Sequence, residues 1–248
     1  MSNLVLGPII GGLSANSAHL WGRSDGEGEF HAWLGRQSDL SDAVLAAKSL
    51  PLTPENGFCG VAPLGDLSPY TKYHYMLSLD DTPPDPSQDP YPSFTTFPEV
   101  GEAKPFIFAF GSCFLPPDAD SGVIFKRIAE HRQREDLHFW MLIGDQIYAD
   151  DAEHNGIDKI AVSKKDYRTV YQYTWSRQVI QDLLANLPAF MMMDDHDIED
   201  DWCWVDTDRL TATIPWWNRL IRRLNGVPLE ERQFPRQRVL DALQAYWE

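Results

Sequence analysis

Three uninterrupted apolar runs, each ending in a short polar turn, constrain this chain more than any other feature. Pro105-Phe106-Ile107-Phe108-Ala109-Phe110 runs into Gly111-Ser112-Cys113, and Phe139-Trp140-Met141-Leu142-Ile143 runs into Gly144-Asp145-Gln146-Ile147-Tyr148. The third, Ala189-Phe190-Met191-Met192-Met193, runs into Asp194-Asp195-His196-Asp197-Ile198-Glu199-Asp200-Asp201. Strands that are apolar at every position belong to parallel sheets covered on both faces, and ligands of such sheets gather outside the carboxyl ends of the strands. The three turns are therefore expected to converge, bringing Cys113, Asp145 and Tyr148 to the acidic cluster. Six carboxylates between Asp194 and Asp201 repel one another unless cations absorb the charge, so a metal site is expected there.

Between the runs the hydrophobic period is helical. Val123, Ile124 and Ile128 stand at helical spacing ahead of a basic last turn, and Val179, Leu183 and Leu184 form an apolar stripe within a helix in Tyr167 to Leu187. Strand, helix, strand is a βαβ unit with a right-handed crossover. Residues 1–98 have another rhythm, in which short alternating segments such as Ala18 to Arg23, Glu29 to Gly35 and Tyr73 to Leu79 are split by Gly, Pro and Asp turns. That is the pattern of a β-sandwich. Leu67-Ser68-Pro69-Tyr70-Thr71-Lys72-Tyr73-His74-Tyr75 resembles the turn and strand of a fibronectin type III domain, where a tyrosine closes a corner with a hydrogen bond. His19, His31 and His74 fall inside these strands and are read as packing or surface residues.

Charge excludes some partners. The chain carries 37 acidic and 21 basic residues, a net charge of −16, so a duplex nucleic acid partner is not expected. An anionic substrate would need bound cations to approach it. The amino terminus has no charged leader or twin arginine and no apolar run is long enough to span a bilayer, so no membrane segment and a cytoplasmic location are expected. Three cysteines are too few and too scattered for a disulfide framework, and Cys59 and Cys203 read as packed thiols. Read alone, Asp145 could equally cap a helix, and Tyr148 could be buried with its hydroxyl on a carbonyl.

In this order, behind a sandwich domain, Gly111-Ser112-Cys113, Gly144-Asp145-Gln146-Ile147-Tyr148-Ala149-Asp150 and Asp194-Asp195-His196-Asp197 with Asp200-Asp201-Trp202 resemble the alkaline phosphatase D (PhoD-like) branch of the metallophosphoesterases. The resemblance implies a fibronectin-like β-sandwich over residues 1–98 and the first half of an α/β metallophosphoesterase domain over 99–248. It implies hydrolysis of phosphate esters, with Cys113, Asp145 and Tyr148 on ferric iron and Asp195 and Asp201 on a second metal, Ca²⁺ or Mg²⁺ or Mn²⁺. Asp194 is an alternative to Asp195. His196 is expected to face the phosphate, stabilising charge or donating a proton to the leaving alkoxide. Asp194, Asp197, Glu199 and Asp200 are expected to be outer or surface groups.

No histidine follows His196, whereas the family brings further ligands from its later half. The chain is accordingly expected to be an amino-terminal portion whose partner is the absent carboxyl-terminal half. It should expose the apolar faces of a half-built sheet and of a helix from Val239 to Trp247, bind metal weakly and hydrolyse esters poorly or not at all. A relative of the purple acid phosphatases, which share Gly-Asp-x-x-Tyr, or a non-catalytic binding fragment of the same fold, are the competing expectations.

Overall fold

The computed structural model describes residues 2–115, 122–135, 137–200, 202, 224 and 235–248; Asp201 and Cys203 lie outside the described residues. The chain forms two compact units, one of residues 1–110, 122–141 and 175–190, the other of residues 111–121, 142–174 and 191–248.

The first unit opens with two antiparallel sheets. One has the order β1 (Leu4–Gly11), β2 (Ala18–Ser24), β5 (Cys59–Leu64); the other has β4 (Val44–Lys48), β3 (Phe30–Gly35), β6 (Lys72–Leu79), β7 (Ser93–Thr95). The alternation read from sequence does its work here: Leu20, Phe30, Ala32, Leu64, Tyr75 and Leu77 turn inward to a common core. Each buried apolar side chain of this kind contributes roughly 1.5–3 kcal/mol. The corner tyrosine is Tyr73, whose Oη accepts the Ser68 N–H at 2.9 Å, five residues back along the chain. His31 and His74 are buried, and His74 Nδ1 lies 3.1 Å from the Tyr91 carbonyl.

Helices pack onto this sandwich within the same unit. Helix α3 (Gln178–Asn186) buries Ile180, Leu183 and Leu184, and Tyr75 Oη donates to the Ala185 carbonyl at 2.7 Å. The expected stripe of α1 (Val123–Glu135) is corrected: Val123 and Ile124 are exposed, and Phe125 is the buried residue, edge-on to Trp140 at 5.5 Å. One large aromatic contact has outweighed two smaller aliphatic ones. The segment read as one helix holds two, α2 (Lys164–Trp175) and α3, because Arg177 adopts an extended conformation at φ −67°, ψ 127°.

A third sheet has the order β10 (Ala189–Met192), β9 (Leu137–Ile143), β8 (Ile107–Gly111). Trp140 of the central strand is buried, but the reading of full cover on both faces fails across the sheet, at Ile143 of β9 (38% exposed), at Met192 of β10 (55%) and most widely at β8. Phe106, Phe108 and Phe110 there are 60%, 41% and 70% exposed. An edge strand has a neighbour on one side only, so an apolar run does not guarantee burial.

The second unit contains the turns that follow these strands, α2 and a last helix α4 (Pro235–Trp247). The expectation that α4 leaves its apolar face open is overturned for most of the helix. Val239, Ala242 and Ala245 are buried, while Leu240 and Trp247 turn outward. Among the described residues no helix is long and apolar enough to cross a membrane.

Candidate metal centre

The site is built from three turns, all within the second unit. Gly144, after β9, sits at φ +114°, and a Cβ placed on it would lie 2.5 Å from Asp194 Oδ2, so the position admits glycine alone. Asp145 and Cys113 are also left-handed, at φ 49° and 63°, a conformation that costs side-chain-bearing residues of order 1–3 kcal/mol and concentrates at functional sites. The turns interlock: Cys113 N–H donates to the Gly144 carbonyl at 3.4 Å and Phe114 N–H to the Asp145 carbonyl at 3.3 Å. Cys113 follows β8, Gly144 follows β9 and Asp194 follows β10, so three adjacent strands end side by side and must run parallel.

Asp145 is the centre of the site and is 6% exposed. Its Oδ2 accepts from Cys113 Sγ at 3.2 Å and from Tyr148 Oη at 3.4 Å. Its Oδ1 is buried and, among the described residues, has no hydrogen-bond partner. A carboxylate oxygen orphaned in this way costs a desolvation penalty that a cation would remove. The donors around it fit one. Carboxylate oxygens of Asp145, Asp194 and Asp195 lie within 4.8 Å of one another. Burial, then the charges of Asp145 and Cys113, push the Tyr148 phenol well above its ordinary range, so without a cation the phenol and its neighbours crowd around one oxygen.

The acidic turn after β10 is a 3₁₀ helix, Asp195–Asp197, capped by Asp194, which accepts the Asp195 N–H. Asp197 is 1% exposed: Oδ2 accepts the Asp194 N–H at 3.0 Å, and Oδ1 accepts the Ile147 N–H at 3.2 Å and the Tyr171 hydroxyl at 3.4 Å. It thus ties the acidic turn to the one carrying Asp145. Burial pushes its pKa up to about 7, with the charge of Asp145 adding to the rise and the backbone amides opposing it.

His196 is held on two sides. Its Nδ1 lies 3.0 Å from Asp150 Oδ1, and its carbonyl accepts the Ala149 N–H at 2.9 Å. Asp150 also accepts the Asp200 N–H at 2.8 Å, and the imidazole stands against the Tyr148 ring at a centroid distance of 4.4 Å. Burial lowers the imidazole pKa, but the bond to and charge of Asp150, with Asp145 and Asp195 behind it, outweigh burial and hold it above its ordinary value. With Nδ1 committed to Asp150, Nε2 is the other ring nitrogen and faces Asp200 Oδ1 at 3.7 Å.

Of the residues expected from sequence, Cys113, Asp145, Tyr148 and Asp195 come together with His196 beside them, while Asp201 lies outside the described residues. Two more matter that were not singled out. Asp150, which orients His196, stands two residues past Tyr148 inside the same motif. Arg238 of α4 is 2% exposed; it donates to the Ala161 carbonyl and Tyr167 Oη at 2.9 Å each, to Glu199 Oε2 at 2.9 Å and to the Ile198 carbonyl at 2.6 Å. It clamps the far end of the acidic turn, and nothing in a lone arginine on an amphipathic helix announces that.

The fold has known counterparts. The solved structure of PhoD superposes with a TM-score of 0.71 at 18% identity, covering 99% of this chain and 45% of its own. Purple acid phosphatase PPD1 from yellow lupin (Lupinus luteus) seeds superposes with a TM-score of 0.51 at 16% identity, covering 82% of this chain and 36% of its own. This chain thus spans less than half the length of either. No curated protein matches it by sequence. The profile of the PhoD-like phosphatase family matches residues 108–248, the stretch that contains all three turns and more than half of the chain, and the chain belongs to that family.

Proposed function

We propose that the three turns hold metal ions and that the chain carries active-site residues of a metal-dependent phosphoric ester hydrolase. The observation that carries the reading is Asp145, a buried carboxylate with one orphaned oxygen and a thiol and a phenol on the other. Deprotonated, Cys113 and Tyr148 offer the thiolate and phenolate that favour ferric iron, with Asp145 able to bridge to a second ion. Asp195, with Asp194 beside it and Asp201 further along, is assigned to that second ion, which the oxygen-rich set suits to Ca²⁺, Mg²⁺ or Mn²⁺. Such ions supply the positive charge that draws and polarises a phosphoryl group.

The remaining roles belong to side chains. His196, fixed by Asp150 through Nδ1, presents Nε2 as the atom that would meet the phosphate or give a proton to the departing alkoxide. The carboxylate of Asp150 holds its pKa above the ordinary imidazole value. The sandwich of the first unit is read as fibronectin type III-like on the strength of its Tyr73 corner.

Hydrolysis of p-nitrophenyl phosphate and bis(p-nitrophenyl) phosphate, with Fe³⁺ and Ca²⁺ or Mn²⁺ supplied, tests the reading. Slow nitrophenolate release that stops in chelator and in Asp145→Asn is expected. Release that persists in both, or none with any metal pair, contradicts it.

A further inference from the structure

Gln146, the residue after Asp145, is 3% exposed, and its Nε2 donates to the Met192 carbonyl at 3.1 Å, two residues before Asp194. Its Oε1 is buried and, among the described residues, has no hydrogen-bond partner. Leaving a buried acceptor dry is costly, and the amide cannot turn over to relieve it, because Oε1 would then face the Met192 carbonyl, acceptor against acceptor. An apolar side chain of the same length would fill this space without that cost. The bond to Met192 is what an amide adds.

That bond joins two turns of the metal centre within the second unit. Asp145 stands on the turn after β9, and Asp194 and Asp195 on the turn after β10. Their carboxylate oxygens lie within 4.8 Å of one another, and like charges so close push the two turns apart. Gln146 opposes this from one side of the Asp194–Asp195 pair, and Asp197, whose Oδ1 accepts the Ile147 N–H at 3.2 Å, opposes it from the other. Tyr246 of α4 backs the first tie, its Oη donating to the Met191 carbonyl at 3.1 Å. The Gln146 tie is neutral, so it adds no charge to a crowd of anions. Cys113 and Tyr148 reach Asp145 by other contacts: Cys113 N–H on the Gly144 carbonyl, and Sγ and the phenol on Asp145 Oδ2.

We propose that Gln146 is a positioning residue that holds Asp194 and Asp195 against Asp145 and so sets the affinity of the second, oxygen-ligated cation, leaving the iron ligands as they are. The inference rests on the metal reading of the three turns and assigns a new residue within it. Residues that orient ligands from behind commonly govern metal affinity in this way.

Calorimetric titration of the iron-loaded chain with Mn²⁺, beside thermal unfolding in chelator, tests this. In Gln146→Met, which keeps the length of the side chain and removes its amide, Mn²⁺ binding should weaken about 10- to 100-fold while the visible iron band stays in place. Unfolding in chelator should not move to lower temperature, because the substitution removes the dry Oε1 and relaxes a tie between like charges. Tyr246→Phe should weaken Mn²⁺ binding in the same direction and by less. Unchanged Mn²⁺ affinity in Gln146→Met, an iron band lost together with that affinity, or an affinity loss matched by unfolding at lower temperature in chelator would overturn the proposal. An unsubstituted chain that binds neither ion would overturn the metal reading and this inference with it, whereas Mn²⁺ binding weakened in Asp145→Asn and untouched in Gln146→Met would overturn this inference alone.

Discussion

Asp145 gathers the donors of the site, with a thiol and a phenol at Oδ2 and carboxylates of Asp194 and Asp195 close by. Its Oδ2 is satisfied by the thiol and the phenol, whereas its buried Oδ1 has no hydrogen-bond partner among the described residues and would gain one in a cation. Loading with ferric iron should therefore give a visible charge-transfer band from phenolate and thiolate that weakens in Tyr148→Phe; retention of zinc alone, with a spectrum indifferent to that change, would count against the iron assignment. His196→Ala should lower turnover by roughly 10² to 10⁴ with metal content intact, whereas loss of metal would make the imidazole a ligand. Asp150→Asn should cost less, about 10- to 100-fold, as is usual for a residue that orients another. Nitrogen NMR of His196 in that variant should show its ring proton redistributed between Nδ1 and Nε2. The ligand-type residues were legible because they stood in turns after apolar runs. Asp150 was visible but unassigned, since an aspartate in a motif does not say which side chain it holds.

Among the elements, the legible ones were those whose burial is decided locally. The sandwich strands and α3 follow their apolar periods, whereas β8 and α1 do not, because strand order and the reach of Trp140 decide which of their side chains are covered. The turn after β9 depends on one glycine. Gly144→Ala should destabilise by about 1–3 kcal/mol or more in denaturant unfolding, given its φ of +114° and the 2.5 Å approach to Asp194. Gly111→Ala, with nothing within 4 Å of its Cβ, should be nearly silent. Helix α4 was expected from its sequence, but its docking was not, because the anchor is a buried arginine. Arg238→Met removes a buried guanidinium with its bonds to the Ala161 and Ile198 carbonyls and to the partly exposed Glu199, and should cost about 1–3 kcal/mol or more; a change under 1 kcal/mol would show that α4 does not hold the acidic turn.

On the scale of the whole molecule, an acidic chain with a buried carboxyl near its site should be sensitive to pH when metal is withheld. Asp197 has a folded pKa of about 7 against an ordinary 3.8, so the protonated form is the one the fold prefers. Its contribution is complete below about pH 4 and is lost as pH rises through 7. The thermal unfolding midpoint in chelator should therefore fall between about pH 4 and 7, less steeply in Asp197→Asn and less steeply with metal, which neutralises the Asp145 charge that adds to the rise; slopes identical in all three would contradict this. The order of the motifs made the family legible at this scale, while the way α1 and α3 join the sandwich in one compact unit was not, because no local pattern encodes which surfaces meet.

Metal retention tests the central claim most directly. Titration of the metal-free chain with Fe³⁺ or Mn²⁺, followed by elemental analysis, should find cation bound by the unsubstituted chain and its affinity at least tenfold weaker in Asp145→Asn, the loss expected when a charged ligand becomes neutral. Equal retention by both, or none by a chain shown to be folded, would mean that the three turns converge for a reason other than metal.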